Sequence, residues 1–280
     1  MRDHDQLLER AEALLDRLEA VLSRPKETTD WNHIAYRWRG SQGLQPVGRP
    51  HRVQLDDLLC MEQQKAEIVR NTRQFVAGRS ANNVLLWGSR GTGKSTLIKA
   101  ILNEFSSRGL RLIEVEKQGL IHLPDILDHL YERPERFILF CDDLSFEADD
   151  ASYKSLKAVL DGSITAPPEN VLIYATSNRR HLLPEYKQEN LDTRVVEGEI
   201  HHGEGVEEKI SLSERFGLWL SFYPFNQQEY LQIVEHWLYR LGSRADENTE
   251  AEALRWALRR GSRSGRVAWQ FARDQAGRAP

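Results

Sequence analysis

Val84-Leu85-Leu86-Trp87-Gly88-Ser89-Arg90-Gly91-Thr92-Gly93-Lys94-Ser95-Thr96-Leu97-Ile98 decides how the rest of the chain is read. Four apolar residues predict a short buried strand. Gly88 to Ser95 then fits the pattern GxxxxGK[ST] at every fixed position, and Thr96–Phe105 continues as a helix. Glycine lets a backbone wrap an anion without Cβ clashes. Free N–H groups and the N-terminus of the following helix then face that anion. Lys94 would place its charge on the β and γ phosphates of a nucleotide, and Ser95 would offer a hydroxyl to Mg²⁺. The expected phosphate-binding set is therefore Gly88, Ser89, Arg90, Gly91, Thr92, Gly93, Lys94, Ser95 and Thr96. An NKxD guanine reader is missing from the sequence, so ATP with Mg²⁺ is the expected ligand.

Outward from that stretch, short apolar runs alternate with amphipathic ones. Strands are predicted at Asn83–Trp87, Arg111–Val115, Arg136–Cys141 and Val171–Thr176. Helices are predicted over 61–77, 94–107, 124–132 and 150–161. Fully apolar strands separated by helices indicate a parallel sheet covered on both faces. The expected fold class is α/β: a P-loop three-layer αβα core with a parallel sheet. After Pro224 the strand-like runs stop, and helices over 227–241, 248–260 and 265–276 read as a helical lid. The expected division is an N-terminal helical arm and linker (1–50), the nucleotide-binding core (51–225) and the lid (226–280). The arm rests on Leu7, Leu8, Ala11, Leu14, Leu15, Leu18, Val21 and Leu22 at helical spacing over 5–23. Residues 26–50, rich in Gly and Pro, read as linker. Their aromatic and basic cluster (Trp31, Tyr36, Arg37, Trp38, Arg39) would either pack on the neighbouring domain or stack on nucleic acid.

Two further strand ends carry polar residues. Phe137–Cys141 runs into Asp142-Asp143, at the end of a parallel strand where ligands bind. Asp142 would hold Mg²⁺ opposite Ser95, and Asp143 would orient or deprotonate the attacking water. Asp is one methylene shorter than the Glu common at such a position, so slow hydrolysis or help from Glu147 is expected. Val171–Thr176 runs into Ser177-Asn178, so Asn178 is a candidate for contact with the γ-phosphate or the water. Arg215 is a candidate arginine finger acting from a neighbouring copy in a homo-oligomer, possible as a ring. Arg266 at the start of the last helix would reach the phosphates. The alternative for the tail is nucleic-acid binding: residues 254–280 hold arginines 255, 259, 260, 263, 266, 273 and 278 against the single acid Asp274.

Composition bounds the rest. With 280 residues the chain has room for about two domains, and 40% hydrophobic content excludes wholesale disorder. Apolar runs such as Val84–Trp87 and Phe137–Cys141 are far short of the roughly 20 residues a spanning helix needs. No secretory signal is visible, and Cys60 and Cys141 cannot form a disulfide framework, so a reduced, cytoplasmic protein is expected. Net charge is −4, which leaves only local patches for polyanions. His201-His202 is a weak candidate for a loop metal site.

These motifs, in this order, resemble AAA+ ATPases from about Leu55 to the C-terminus. The stretches ANNVLLWGSRGTGKSTLIKA, RPERFILFCDDLSFEADD, VLIYATSNRRHLLPEY and EEKISLSERFGLWLSFYPF resemble more closely one bacterial family of predicted AAA+ ATPases whose domain has no assigned function. The resemblance implies that Leu55–Met61 borders the adenine and Gly88–Thr96 bind ATP. It implies that Asp142 serves Mg²⁺, that Asp143 holds the catalytic acid position, and that Asn178 is sensor 1. Arg215 would be the finger and Arg266 sensor 2. Asp at 143 and a short lid depart from the common pattern. The segment Glu116–His122 has no aromatic residue, which disfavours a protein-threading machine. The expected function is thus an ATPase that couples hydrolysis to a conformational change in a protein or nucleic-acid client. The alternative is a slowly hydrolysing or non-hydrolysing ATP-dependent switch or loader on a nucleic-acid complex.

Overall fold

The computed structural model describes residues 29–146, 150–162, 168–180, 182, 194–196, 199–201 and 212–278. The helix expected over 5–23, and Glu147, lie outside the described residues. The described part opens with strands β1 (Ala35–Trp38) and β2 (Leu44–Pro46) and helix α1 (Glu62–Val76). Then come β3 (Val84–Gly88), α2 (Lys94–Phe105), β4 (Leu110–Glu114), α3 (Leu123–Asp128), β5 (Arg136–Cys141), α4 (Ala151–Asp161) and β6 (Val171–Ser177). A small hairpin, β7 (Arg194–Val196) with β8 (Glu199–His201), precedes β9 (Leu218–Phe222). Helices α5 (Gln227–Arg240), α6 (Thr249–Arg260) and α7 (Gly265–Arg278) complete the described chain.

The main sheet runs β2-β1-β4-β5-β6-β3-β9, parallel at every step except β1 with β2. Apolar runs without alternation suit it because both faces are covered. On β5, Ile138 and Phe140 enter one apolar cluster while Phe137, Leu139 and Cys141 enter the other. On β6, Leu172 and Tyr174 divide from Val171, Ile173 and Ala175 in the same way. Successive strand side chains point to opposite faces, so a strand buried on both sides must be apolar throughout. One cluster also takes residues from α2 and from α5, α6 and α7, including Ile98, Tyr230, Ala253 and Phe271. The C-terminal helices therefore share a continuous apolar core with one face of the sheet.

The segment read as linker is partly sheet. Tyr36 of β1 pairs with Ile113 of β4, and β2 turns back on β1 across Arg39–Gly43. The aromatic cluster packs inward: Tyr36 and Trp38 are buried, Trp31 leans on Tyr36 and Phe137, and Arg37 pairs with Glu114. The nucleic-acid reading of that cluster is thereby withdrawn. Helix α3 starts where expected, at Leu123 with Pro124 in its first turn, but ends at Asp128 because the next N–H groups, of His129 and Leu130, donate three residues back to Ile126 and Leu127 and tighten the chain into a turn.

A buried polar clasp ties α1 to the sheet. The Tyr174 hydroxyl, 0% exposed, lies 2.8 Å from Thr72 Oγ1 and accepts from Asn71 Nδ2 at 3.1 Å. Burial pushes its pKa up to about 12, so it stays a neutral donor. Tyr174→Phe would leave these partners short of one bond and is expected to cost about 1–2 kcal/mol in urea unfolding. An unchanged midpoint would show the clasp to be neutral.

Candidate nucleotide-binding site

The site lies where three strand ends meet. β6 sits between β5 and β3, and parallel strands bring the loops at their C-terminal ends together. The glycine loop leaves β3, Asp142-Asp143 leave β5, and Asn178 leaves β6.

The loop has no space for side chains where it turns. At Gly88 (φ +130°) a Cβ would fall 2.0 Å from the Phe222 carbonyl of β9. At Gly91 (φ +77°) it would fall 2.9 Å from Ser264 Oγ, just before α7. The same carbonyl region joins the loop to α7, since the Arg266 N–H donates to Gly91 O at 3.3 Å. Within the loop, Thr92 Oγ1 donates to Ser89 O at 2.8 Å. Gly93 caps α2, so the first N–H groups of that helix point into the site.

Lys94 is buried at 6% exposure. Its ammonium donates to three oxygens: Gly88 O at 2.8 Å, Ser89 O at 2.8 Å and Asn178 Oδ1 at 3.2 Å. Burial lowers its pKa from the ordinary lysine value. Asp143 and Asp142 oppose that effect, while Arg90 and Arg266 add to it.

From Lys94 the hydrogen bonds run on around the site. Asn178 Nδ2 donates to Asp143 Oδ1, and the Asp143 N–H donates to Thr176 Oγ1 at 2.8 Å. Thr176 Oγ1 donates to Asp142 Oδ1 at 2.5 Å, and Ser95 Oγ donates to the same oxygen at 2.6 Å. The circuit thus closes on Ser95, the residue after Lys94. Asp143 has a left-handed backbone (φ +53°). That conformation costs an L-residue about 1–2 kcal/mol, least for Asn and Asp, and the two bonds from Asn178 and to Thr176 hold it.

A cavity of about 700 Å³ opens over this circuit. Arg90 to Thr96, Lys99, Asp142, Asp143, Thr176, Asn178 and Arg266 line its polar part. Val53, Leu58, Leu59, Met61, Phe225, Ile233 and Trp237 line an apolar part. The Ser95 hydroxyl and Asp142 carboxylate are hard oxygen donors of the kind Mg²⁺ takes. Among the described residues no three metal-ligating side chains of His, Cys, Asp or Glu gather. A dication here would need oxygens from the ligand, as Mg²⁺ draws them from substrate phosphates. His201 lies in β8 and His202 outside the described residues, so the structure does not bear on that pair.

The structure brings together nearly all of the expected site residues. Gly88 and Ser89 are not among the residues lining the cavity, and their carbonyls accept from Lys94. Arg215 is not among the residues lining the cavity, and its Nε pairs with Asp161 at the end of α4. Sequence reasoning missed Thr176, which bridges the two acids but reads as an ordinary β-branched strand residue. It also missed the buried Asp57, which lines the cavity. Asp57 Oδ2 accepts from the Gln54 N–H at 2.9 Å, and Oδ1 lies 3.2 Å from Arg240 Nε and 3.6 Å from His236 Nε2 on α5. That cluster fastens the segment before α1 to the C-terminal helices. No local spacing signals it, because its members are far apart in the chain.

A family model described as "Protein of unknown function (DUF815)" matches residues 31–279. No curated protein matches the chain. Among solved structures, the chain resembles the Holliday junction branch migration motor RuvB of Thermotoga maritima, with TM-score 0.52 and 18% identity over 79% of this chain and 63% of that one. It resembles the Orc1 protein of Aeropyrum pernix, solved in complex with DNA, with TM-score 0.54 and 14% identity over 78% of this chain and 59% of that one. It also resembles the replication initiator DnaA bound to AMPPCP and single-stranded DNA, with TM-score 0.52 and 18% identity over 79% and 63%. The chain therefore spans less than two thirds of the length of these structures, and at such identities the likeness concerns the fold alone. Among the described residues no helix is long and apolar enough to cross a membrane. The chain belongs to the DUF815 family and has the AAA+ P-loop fold, with a parallel-dominated sheet and a helical C-terminal region.

Proposed function

We propose that the chain binds ATP with Mg²⁺ in this cavity and hydrolyses it slowly, passing the change in its C-terminal helices to a partner. The observation that carries this reading is the 2.6 Å contact between Ser95 and Asp142 beside the buried Lys94. A hydroxyl and an ammonium from the first turn of α2 and a carboxylate from the loop after β5 are assembled under a cavity whose other end is apolar. The polar end suits a triphosphate tail, and the apolar end suits a base. Lys94 would exchange its loop carbonyls for phosphate oxygens. Ser95 and Asp142 would hold Mg²⁺, which when bound offsets charge on the phosphate oxygens. Asp143 would orient the attacking water and accept its proton, and Asn178 would keep Asp143 in place. Arg266, whose N–H already contacts Gly91, would register the phosphates from α7. Residues 226–280 would then act as a lid, its closure read by the client. Arg215, outside this cavity, would serve a neighbouring copy in an ATP-dependent homo-oligomer.

A second reading keeps the binding and drops the turnover. Asp143 is short, left-handed and already engaged by Asn178. A nucleotide-dependent switch acting on a nucleic-acid complex would need no faster chemistry. Phosphate release under excess ATP separates the two, since a switch holds its ATP for many minutes.

Lys94→Ala is expected to weaken ATP–Mg²⁺ binding by roughly 10- to 150-fold in titration calorimetry, the worth of a hydrogen bond to a charged group. Full affinity in that variant would sink the phosphate-site assignment. Asp143→Asn should bind ATP normally and lose about 100-fold or more of any turnover. Asp143→Glu should raise turnover if the short reach limits it, because about 1 Å of misplacement can cost on the order of 100-fold. An unchanged rate would show that reach is not limiting.

A further inference from the structure

We propose that the exposed end of α6 and the turn into α7 form a docking surface for single-stranded nucleic acid. Arg255, Arg259, Arg260 and Arg263 are all exposed, with Leu258 between them at 82% exposure. From Ala253 to Arg273 the sequence holds six arginines, no lysine and no acid. Among the described residues none of the six has a carboxylate within ion-pair distance. Elsewhere in the structure Arg37, Arg39, Arg133, Arg240 and Arg278 do have one. Subtracting these six from the net charge of −4 leaves −10 for the rest of the chain. The patch is therefore a concentrated, uncompensated positive field on an acidic protein, and like charges held together without counter-charges favour an anionic partner.

The geometry narrows the chemistry. Arg255 and Arg259 are four residues apart on α6, so their stems stack in a row about 5–6 Å apart. Arg260 lies 5.0 Å over the Trp256 ring, which holds its guanidinium in place. Guanidinium forks match phosphate oxygens, and the use of arginine throughout, with no lysine, suits phosphate recognition. Leu258 adds apolar surface on α6 itself, and one turn into α7 Trp269, at 37% exposure, carries Arg273 stacked 4.6 Å from its ring. Bases of a single strand are free to lie on such surface, whereas a duplex keeps them stacked inside. Trp269 and Arg266 also line the nucleotide cavity. A strand on this surface would therefore end close to the nucleotide. Binding of a strand here needs no bound nucleotide.

The test is fluorescence anisotropy of a labelled oligothymidylate against the full chain over a salt series. Four phosphate contacts on a single strand predict a log–log salt slope of about −2.8, a loss of roughly 50-fold in affinity from about 50 to 200 mM salt. The double variant Arg259→Gln/Arg263→Gln should cut the slope to about −1.4. The pair Arg70→Gln/Arg73→Gln, exposed on α1, removes the same charge elsewhere and should leave the slope unchanged. Equal losses in both double variants would reduce the effect to net charge and overturn the proposal. Tighter binding of a duplex than of the single strand would overturn it. So would absence of binding, with light scattering showing self-association that Arg259→Gln/Arg263→Gln abolishes. The surface would then belong to an acidic face of a second copy.

Discussion

The arrangement depends on how closely the glycine loop is pressed by its neighbours. Gly88 passes under the carbonyl of Phe222 with no room for a Cβ, and Gly91 passes close under the Ser264 side chain with a left-handed backbone that itself favours glycine. The first neighbour is the outermost strand of the sheet, and the second is the entrance to the last helix. The loop's shape is therefore set by two segments that follow it by well over a hundred residues. Glycine is needed at these points because something else already fills the space, as well as because the backbone turns. A loop held this way presents its N–H groups in one arrangement, and the Arg266–Gly91 hydrogen bond ties it to α7.

The polar circuit adds a second constraint. Lys94, Asn178, Asp143, Thr176, Asp142 and Ser95 form one continuous chain of hydrogen bonds that begins and ends on adjacent residues. Lys94 and Thr176 are buried, so leaving either unpaired would be costly, whereas Asp142 and Asp143 face solvent. An anion that draws Lys94 away from Asn178 would loosen Asp143. A cation that takes Asp142 from Ser95 and Thr176 would do the same from the other side. The two ends of a bound Mg²⁺–nucleotide would thus act on one network, which gives the acid at 143 a route to respond to occupancy. The Cys141 thiol beside it plays no part in this: burial pushes its pKa up to about 12, so it stays neutral.

Much of this was legible because the residues involved carry local signatures. The loop announces itself by glycine spacing between a strand and a helix. Asp142-Asp143 and Asn178 announce themselves as polar residues that end apolar runs. The order of the chain also placed β6 beside β5. What stayed hidden was either short or distant. β1 and β2 are four and three residues long and set among Gly and Pro, too short for any period to show. β1 acquires its identity only by pairing with β4 across the chain. Thr176 looks like any strand threonine until Asp142 and the backbone of Asp143 are brought to it. Asp57, His236 and Arg240 have no shared motif and meet only because α5 packs over the segment before α1. Arg215 was legible as an arginine near a polar turn, and the structure pairs it with Asp161, away from this cavity.

The central claim is that the amides of the loop after β3 enclose a triphosphate tail. Hydrogen–deuterium exchange over residues 88–96, with and without ATP and Mg²⁺, tests it most directly. Enclosure predicts that exchange slows in that segment and at the start of α7, with little change at the far edge formed by β1 and β2. Exchange in the loop that is the same with and without saturating nucleotide would contradict the account.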